Sequence, residues 1–435
     1  MNILKCICLF CLLVYHLSAQ QKINKQVIEK SLNQYLDFNG SLSKLILVSE
    51  TDIKLFANEN DLKKNNPSVA LNFDEIDIFK LLIKNLSQDS VASILKLKKN
   101  SKWTAEQRDL FFSEIVTPYK QNKISNKKLS GLKIAIDPGH IAGNHEMALI
   151  EAKKIKFFKK NNPQLKQDSL FIAEGILTFA TAQLLKAQLE SEGAEVFVTR
   201  GDNLSAFGIS YNEWLIKKKK KYLDSLFAMG KINLSKKEKL MKMNKKEFFF
   251  SFFRDIDLIK RAELINQFKP DISVIIHYNV DEKNNNWEKP TTKNYCMAFI
   301  PGAFDAKVLE NDLGRINFLR LLIGDDLILS EKISSLTINA FEKKLNVPIA
   351  SNHDAEYLRD NCLYGSMQGV FSRNLALCRL IQSPLVYGES LYQDNVNEYE
   401  VLSKTDKIYF GVKTNERVKQ VADAYFEGII NYFKE

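Results

Sequence analysis

Cysteine is scarce and poorly placed for cross-linking: Cys6, Cys8 and Cys11 cluster at the start, and only Cys296, Cys362 and Cys378 follow. A widely spaced trio fits neither a disulfide framework nor a zinc ribbon. The three read as small buried hydrophobes, with a Cys362–Cys378 bridge as the alternative. After residue 19 there is no second run of about 18 apolar residues, so no membrane span is expected in the remaining chain. No internal repeat, low-complexity domain or compact His-Glu-x-x-His helix occurs either. The chain is basic, but it joins that basicity to no recognisable nucleic-acid fold or aromatic platform, which argues against a nucleic-acid partner.

What is present is ordinary for a globular chain: 435 residues, 45% hydrophobic and 26% charged. That suffices for a sizeable core and suggests two domains, or three. The net charge of +10 is uneven, because residues 205–250 hold twelve Lys against four acidic residues, a local net of +8. This Lys-rich stretch reads as a solvated helical insertion, and an anionic envelope surface is the partner its charge would suit. At the N-terminus, Lys5 precedes an apolar run from Cys6 to Val14 and then Leu17-Ser18-Ala19. That is the shape of a secretory signal peptide over residues 1–19, implying export to the periplasm or the extracellular space.

Residues 20–120 read as a smaller N-terminal domain, mixed α/β or α-rich, carrying no motif with chemistry. Helices are expected over 23–38, 73–97 and 104–119, and a strand over 44–48. The polar stretch 121–130 reads as a linker. Beyond it, Lys133 to Ile136 form an apolar strand entering a turn at Pro138-Gly139, with His140 just past it. An irregular, charged passage runs to about Ser169. The spacing of Ile176, Leu177, Ala180, Leu184 and Leu185 then predicts a helix from Glu174 to Glu192, capped by Gly193, and Ala194–Thr199 predicts a strand. Strand, helix and strand make a βαβ unit, so residues 131–435 are expected to be α/β: a mainly parallel twisted sheet flanked by helices. A helix over 255–268, strands over 272–276, 296–300 and 384–388, and a closing helix over 415–433 complete the pattern.

Parallel sheets gather their functional groups at the carboxyl ends of strands. Here separate strands deliver His140, His277 and Glu389, and a helix begins with Glu174. Two imidazoles and a carboxylate can hold a catalytic zinc with one position open, and a further carboxylate can take a proton from water. The chemistry would then be hydrolysis of an amide or ester. Residue types alone leave open an ordinary strand with an incidental surface histidine. His145, His353 and Arg373 read as loop or surface residues that could touch a ligand, Arg373 through an anionic group.

The sequence also resembles the zinc-dependent N-acetylmuramoyl-L-alanine amidases, cell-wall hydrolases of amidase type 3. The resemblance rests on Ile136-Asp137-Pro138-Gly139-His140, on Glu174 with the helix ending in Gly193-Ala194-Glu195-Val196-Phe197-Val198-Thr199-Arg200, and on Arg261-Ala262-Glu263-Leu264-Ile265-Asn266. Asp271 to Asn279, Pro384 to Asn395 and Glu427-Gly428-Ile429-Ile430 extend it. It implies that His140, Glu174 and His277 ligate zinc, that Glu389 is the general base, and that peptidoglycan is cut between muramic acid and L-alanine. The departures are Ile141-Ala142-Gly143 where the family has two glycines, a bulkier His277-Tyr278-Asn279-Val280, the Lys-rich insertion, and a long interval before Glu174. That interval leaves Glu146 and Glu151 as rival ligands. A non-cutting wall-binding or regulatory relative, or a zinc peptidase for another amide, remain alternatives.

Overall fold

The computed structural model describes residues 24–96, 103–107, 127–158, 169–284 and 289–434. The signal-peptide segment, most of the helix expected over 104–119 and the first part of the linker lie outside them. The chain divides into two compact units: residues before 118 together with Asp305–Gly324, and the remainder.

In the first unit, β1 (Ile46–Val48), β2 (Asp52–Leu55) and β3 (Val69–Asn72) form an antiparallel sheet. The sequence reading had only the first of them, because runs of three or four residues give little periodicity. The helix expected over 23–38 is Lys25–Ser31 running into a π-helical turn at Leu32–Leu36. The one expected over 73–97 is two, Ile76–Asn85 and Gln88–Lys96. Helix Asp312–Ile323 packs here as well, although it follows residue 131: Gln88 donates to Asn317 at 2.6 Å and Lys96 pairs with Asp312 at 2.6 Å.

The second unit is built on seven strands: β4 (Lys133–Pro138), β7 (Glu195–Val198), β8 (Ile272–Asn279), β9 (Met297–Pro301), β10 (Cys362–Tyr364), β11 (Val370–Arg373) and β12 (Leu385–Tyr392). Their order is β10-β11-β9-β12-β8-β4-β7. Four of the six pairings are parallel; β12 with β9 and β10 with β11 are antiparallel. Strand β8 is buried from Ile272 to Tyr278 and, apart from Ser273, apolar on both faces up to His277, as suits a central strand covered on both sides. The helix before it, Arg254–Phe268, ends where Lys269 turns left-handed (φ 52°) ahead of Pro270.

One face of the sheet lies under helices Glu174–Ser191, Asp326–Leu345 and Glu416–Lys434, where the Tyr425 hydroxyl donates to the Gly388 carbonyl at 3.0 Å. On the other face Ala262 and Ile265 of helix Arg254–Phe268 join Ile275, Phe299, Leu385, Cys362 and Cys378 in one core. All three late cysteines are buried and free, so the Cys362–Cys378 bridge does not form.

Two further differences bear on the site. The passage 141–169 is not irregular: it holds helix His145–Ile150 and a hairpin of β5 (Lys154–Phe158) and β6 (Ser169–Ala173), whose intervening residues 159–168 lie outside the described ones. Buried Ile155 and Phe157 alternate with lysines, a period-two signal that was legible. The Lys-rich insertion is helical as expected, in helices Tyr211–Lys217, Lys219–Ala228, Leu234–Lys242 and Lys245–Phe248. Trp214, Phe248, Phe249 and Phe253 are buried there.

Candidate metal centre

Three adjacent strands, β4, β8 and β12, carry the site. Pro138 lies opposite Ile276, and the Gly139 amide continues the ladder by donating to the Ile276 carbonyl at 3.0 Å. His277 lies opposite Glu389. Both belong to the strands themselves rather than following them, because β8 and β12 extend three and four residues beyond the apolar runs 272–276 and 384–388. Glu174 opens the helix that follows β6.

The turn at 138–140 is held from below by two buried arginines. Arg200 donates to the carbonyls of Pro138, Gly139 and Gly175, each at 3.0 Å. Arg261 donates to the Pro138 and His140 carbonyls at 2.8 Å each and pairs with Asp137 and Asp257. Thr178 donates to the Gly139 carbonyl at 2.6 Å, and Thr199 hydrogen-bonds Asp137. The turn needs this support, since His140 has φ 62°, a left-handed conformation costing a non-glycine residue about 1–2 kcal/mol. Arg200 and Arg261 stand in the stretches that carry the family resemblance, but residue type and spacing assign them no role.

These clamps aim the side chains at one another. Glu174 takes His277 Nδ1 on Oε1 at 2.9 Å and lies 3.1 Å from His140 Nε2 through Oε2; Lys153 Nζ is 3.4 Å from the same Oε2. His140, Glu174 and His277 each offer a ligand atom, all within 4.8 Å of one another. His140 Nε2 and Glu174 Oε2 are nonetheless buried without a hydrogen-bond partner. Orphaned atoms of this kind cost about 1–3 kcal/mol each, and here they converge on one point. A cation at that point would satisfy both, so the donor set fits a divalent metal.

Charge supports the same reading. Burial lowers His140 to about 3, leaving the imidazole neutral and able to donate a lone pair. Burial alone would raise the Glu174 carboxyl, but the nearby Lys153 charge and the hydrogen bond with His277 hold it well below its usual range. Glu389 goes the other way: burial and the nearby Glu174 charge, opposed by His277, push it up to about 7. Its Oε2 is also buried and unpartnered.

Both rival carboxylates are occupied elsewhere. Glu146 is exposed, accepts from Asn212 at 3.0 Å and pairs with Lys245 at 2.9 Å. Glu151 is buried and accepts from the Ile141 and Ala142 amides at 2.8–3.1 Å, fixing the loop after His140. His145 packs against Phe171 away from the trio, and His353 is exposed in a turn. Arg373 makes no ion pair among the described residues; its guanidinium lies 4.9 Å from the Phe299 ring and 4.7 Å from that of Tyr357.

The sequence matches the N-acetylmuramoyl-L-alanine amidase family over residues 134–431. The chain belongs to that family. No curated protein matches it. Solved structures similar to this amidase include the CwlD amidase of Clostridioides difficile in complex with the GerS lipoprotein, at 15% identity, 70% coverage of this chain, 99% of that one and TM-score 0.38. Ami1 of Mycobacterium smegmatis has 15% identity, 70% and 98% coverage and TM-score 0.37. AmiC2 of Nostoc punctiforme has 13%, 70% and 99%, and 0.35.

The amidase's departures at 141–142 have a packing reason. Ile141 and Ala142 share one buried cluster with Met147, Ala148, Tyr211, Trp214, Phe248 and Phe253, so the inserted helices form the roof over the first histidine's loop. Gly175 lets the Ala142 backbone approach so closely that a Cβ there would overlap it. The long interval before Glu174 is filled by helix His145–Ile150 and the β5–β6 hairpin.

Proposed function

We propose that this amidase hydrolyses the amide bond joining N-acetylmuramic acid to L-alanine in peptidoglycan, outside the cytoplasm, with His140, Glu174 and His277 holding zinc. The observation that carries the proposal is the convergence of three ligand atoms within 4.8 Å, with His140 Nε2 and Glu174 Oε2 buried and lacking a hydrogen-bond partner. Two imidazoles and one carboxylate are a donor set of catalytic zinc sites that leave a coordination position open. Zinc there would supply Lewis acidity and lower the pKa of a water molecule to about 7.

The chain's own residues do the rest. Glu389 stands opposite His277 on the neighbouring strand, its carboxyl raised to about 7 and its Oε2 free of any hydrogen bond. In its deprotonated form it takes a proton from the attacking water, and in its protonated form it returns that proton to the departing amine of L-alanine. Glu174 orients His277 through Nδ1, and Lys153 pairs with the Glu174 carboxylate. The buried arginines keep the His140 turn from relaxing. Substitution Glu389→Ala should cut release of stem peptides from purified sacculi by about 100-fold or more while leaving bound zinc at one ion per chain. Full activity in that variant would remove Glu389 from the role, and metal-free purified protein with full activity would remove zinc.

A further inference from the structure

Side chains on alternate positions of β12, β9 and β11 share one face of the sheet. Register places Glu389 opposite Met297, Tyr387 opposite Phe299, Phe371 opposite Phe299 and Arg373 opposite Pro301. Glu389, Tyr387, Phe299 and Arg373 therefore lie on the face that carries His277. The Tyr387 ring stacks on His277, and Phe299 stands edge-on to Tyr387 with centroids 6.0 Å apart. Tyr357 accepts from Asn279 at the end of β8 at 3.0 Å and contacts the Met297 sulfur at 3.4 Å, so it spans from the mouth of the site toward Arg373. Aromatic side chains thus run from the metal centre to the Arg373 guanidinium, which lies 4.9 Å from the Phe299 ring centroid and 4.7 Å from that of Tyr357.

We infer that Arg373 binds a free carboxylate of the stem peptide, one borne beyond its first residue, and so selects peptides with that acid unblocked. The inference rests on the proposed amidase reaction. Three features carry it. First, Arg373 has five donors and, among the described residues, no carboxylate within ion-pair distance, whereas Arg200, Arg261 and Arg417 are all engaged by carbonyls or acids. Second, the guanidinium packs against the Phe299 and Tyr357 rings, contacts that use none of its N–H groups and leave them for a bidentate acid. Third, the distance fits. Two strand spacings and four residues of rise put the Arg373 and Glu389 backbones on the order of 16 Å apart, and an extended peptide covers that in about five residues or fewer once the arginine side chain reaches back.

The test compares muropeptides that differ only in having the second- or third-residue carboxylate free or converted to carboxamide. Wild-type enzyme should prefer the free acid by about 10- to 100-fold in kcat/KM, mostly through KM, and Arg373→Gln should lose that preference. Arg373→Lys keeps the charge without the fork and should fall between. Equal rates on acid and amide with wild-type enzyme would overturn the inference without any variant, and so would Arg373→Gln with an unchanged preference. If Arg373→Gln does not fold, Arg373→Lys with an undiminished preference would do the same. Failure of wild-type enzyme to cut either substrate would instead overturn the amidase reading.

Discussion

The His277 imidazole lies flat on the Tyr387 ring, with centroids 4.6 Å apart and planes 6° from parallel. The other side of the ring is closed by Gly139, so near that a Cβ there would overlap the imidazole. The second histidine is therefore oriented by packing on both faces, not only by its bond to Glu174. The glycine of Asp-Pro-Gly-His is required by this approach.

Gly139→Ala should accordingly push the ring off Tyr387 and out of line with Glu174. Zinc affinity, followed by competition with a chromogenic chelator, is expected to fall about 10- to 100-fold, the range seen when groups orienting metal ligands are lost. Native affinity in the alanine variant would mean that the ring can move without cost.

Arg261 makes a larger contribution to stability. It is buried against Asp137 and Asp257, so Arg261→Ala leaves two buried carboxylates short of their partner. Removing one member of a buried ion pair costs about 3–5 kcal/mol. At about 2–4 °C per kcal/mol, the thermal midpoint should drop by roughly 6–20 °C. A shift of only a degree or two would show that the clamp on the His140 turn is dispensable.

Much of this arrangement was legible beforehand, for an identifiable reason. Strand β8 and helix Glu174–Ser191 are long, strongly patterned elements, and the four site residues sit at their ends or on strands beside them. What stayed hidden has little local periodicity: the short β2 and β3, and the assignment of helix Asp312–Ile323 to the first unit. The roles of Arg200 and Arg261 were hidden differently, since a buried arginine reads as a surface charge until the carbonyls it serves are placed in space. Ile141 could be read from sequence only as a loss of glycine, because its partners Trp214 and Phe248 lie more than seventy residues away in sequence.

The pH profile offers a third check. A carboxyl raised to about 7 is protonated below that pH and becomes a competent base only above it. The kcat/KM for stem-peptide release should therefore rise with pH along an acid limb, and a bound cation, which favours the charged form, would place that limb at or somewhat below pH 7. Glu389→Gln should abolish the limb together with most of the activity. A wild-type profile level from about pH 5 to 8 would be incompatible with Glu389 as the proton acceptor.

The inserted helices provide the last prediction, and their packing sets its direction. A solvated appendage could be deleted at little cost, since its charges would pair mainly with water. Here Trp214, Phe248 and Phe253 instead cover Ile141, Ala142, Met147 and Ala148, so removing residues 205–250 would open the loop that bears the first metal ligand. Such a deletion is expected to yield insoluble or unfolded protein. The milder Trp214→Ala should cost about 3–5 kcal/mol as a core cavity. Because that cavity opens against the loop whose amides Glu151 holds, zinc should also leave faster than from a variant equally destabilised in the first unit, such as Phe79→Ala, whose cavity belongs to a different core. Equal zinc release from the two variants would reduce the insertion to bulk stability alone; faster release from Trp214→Ala would make it the roof of the metal centre.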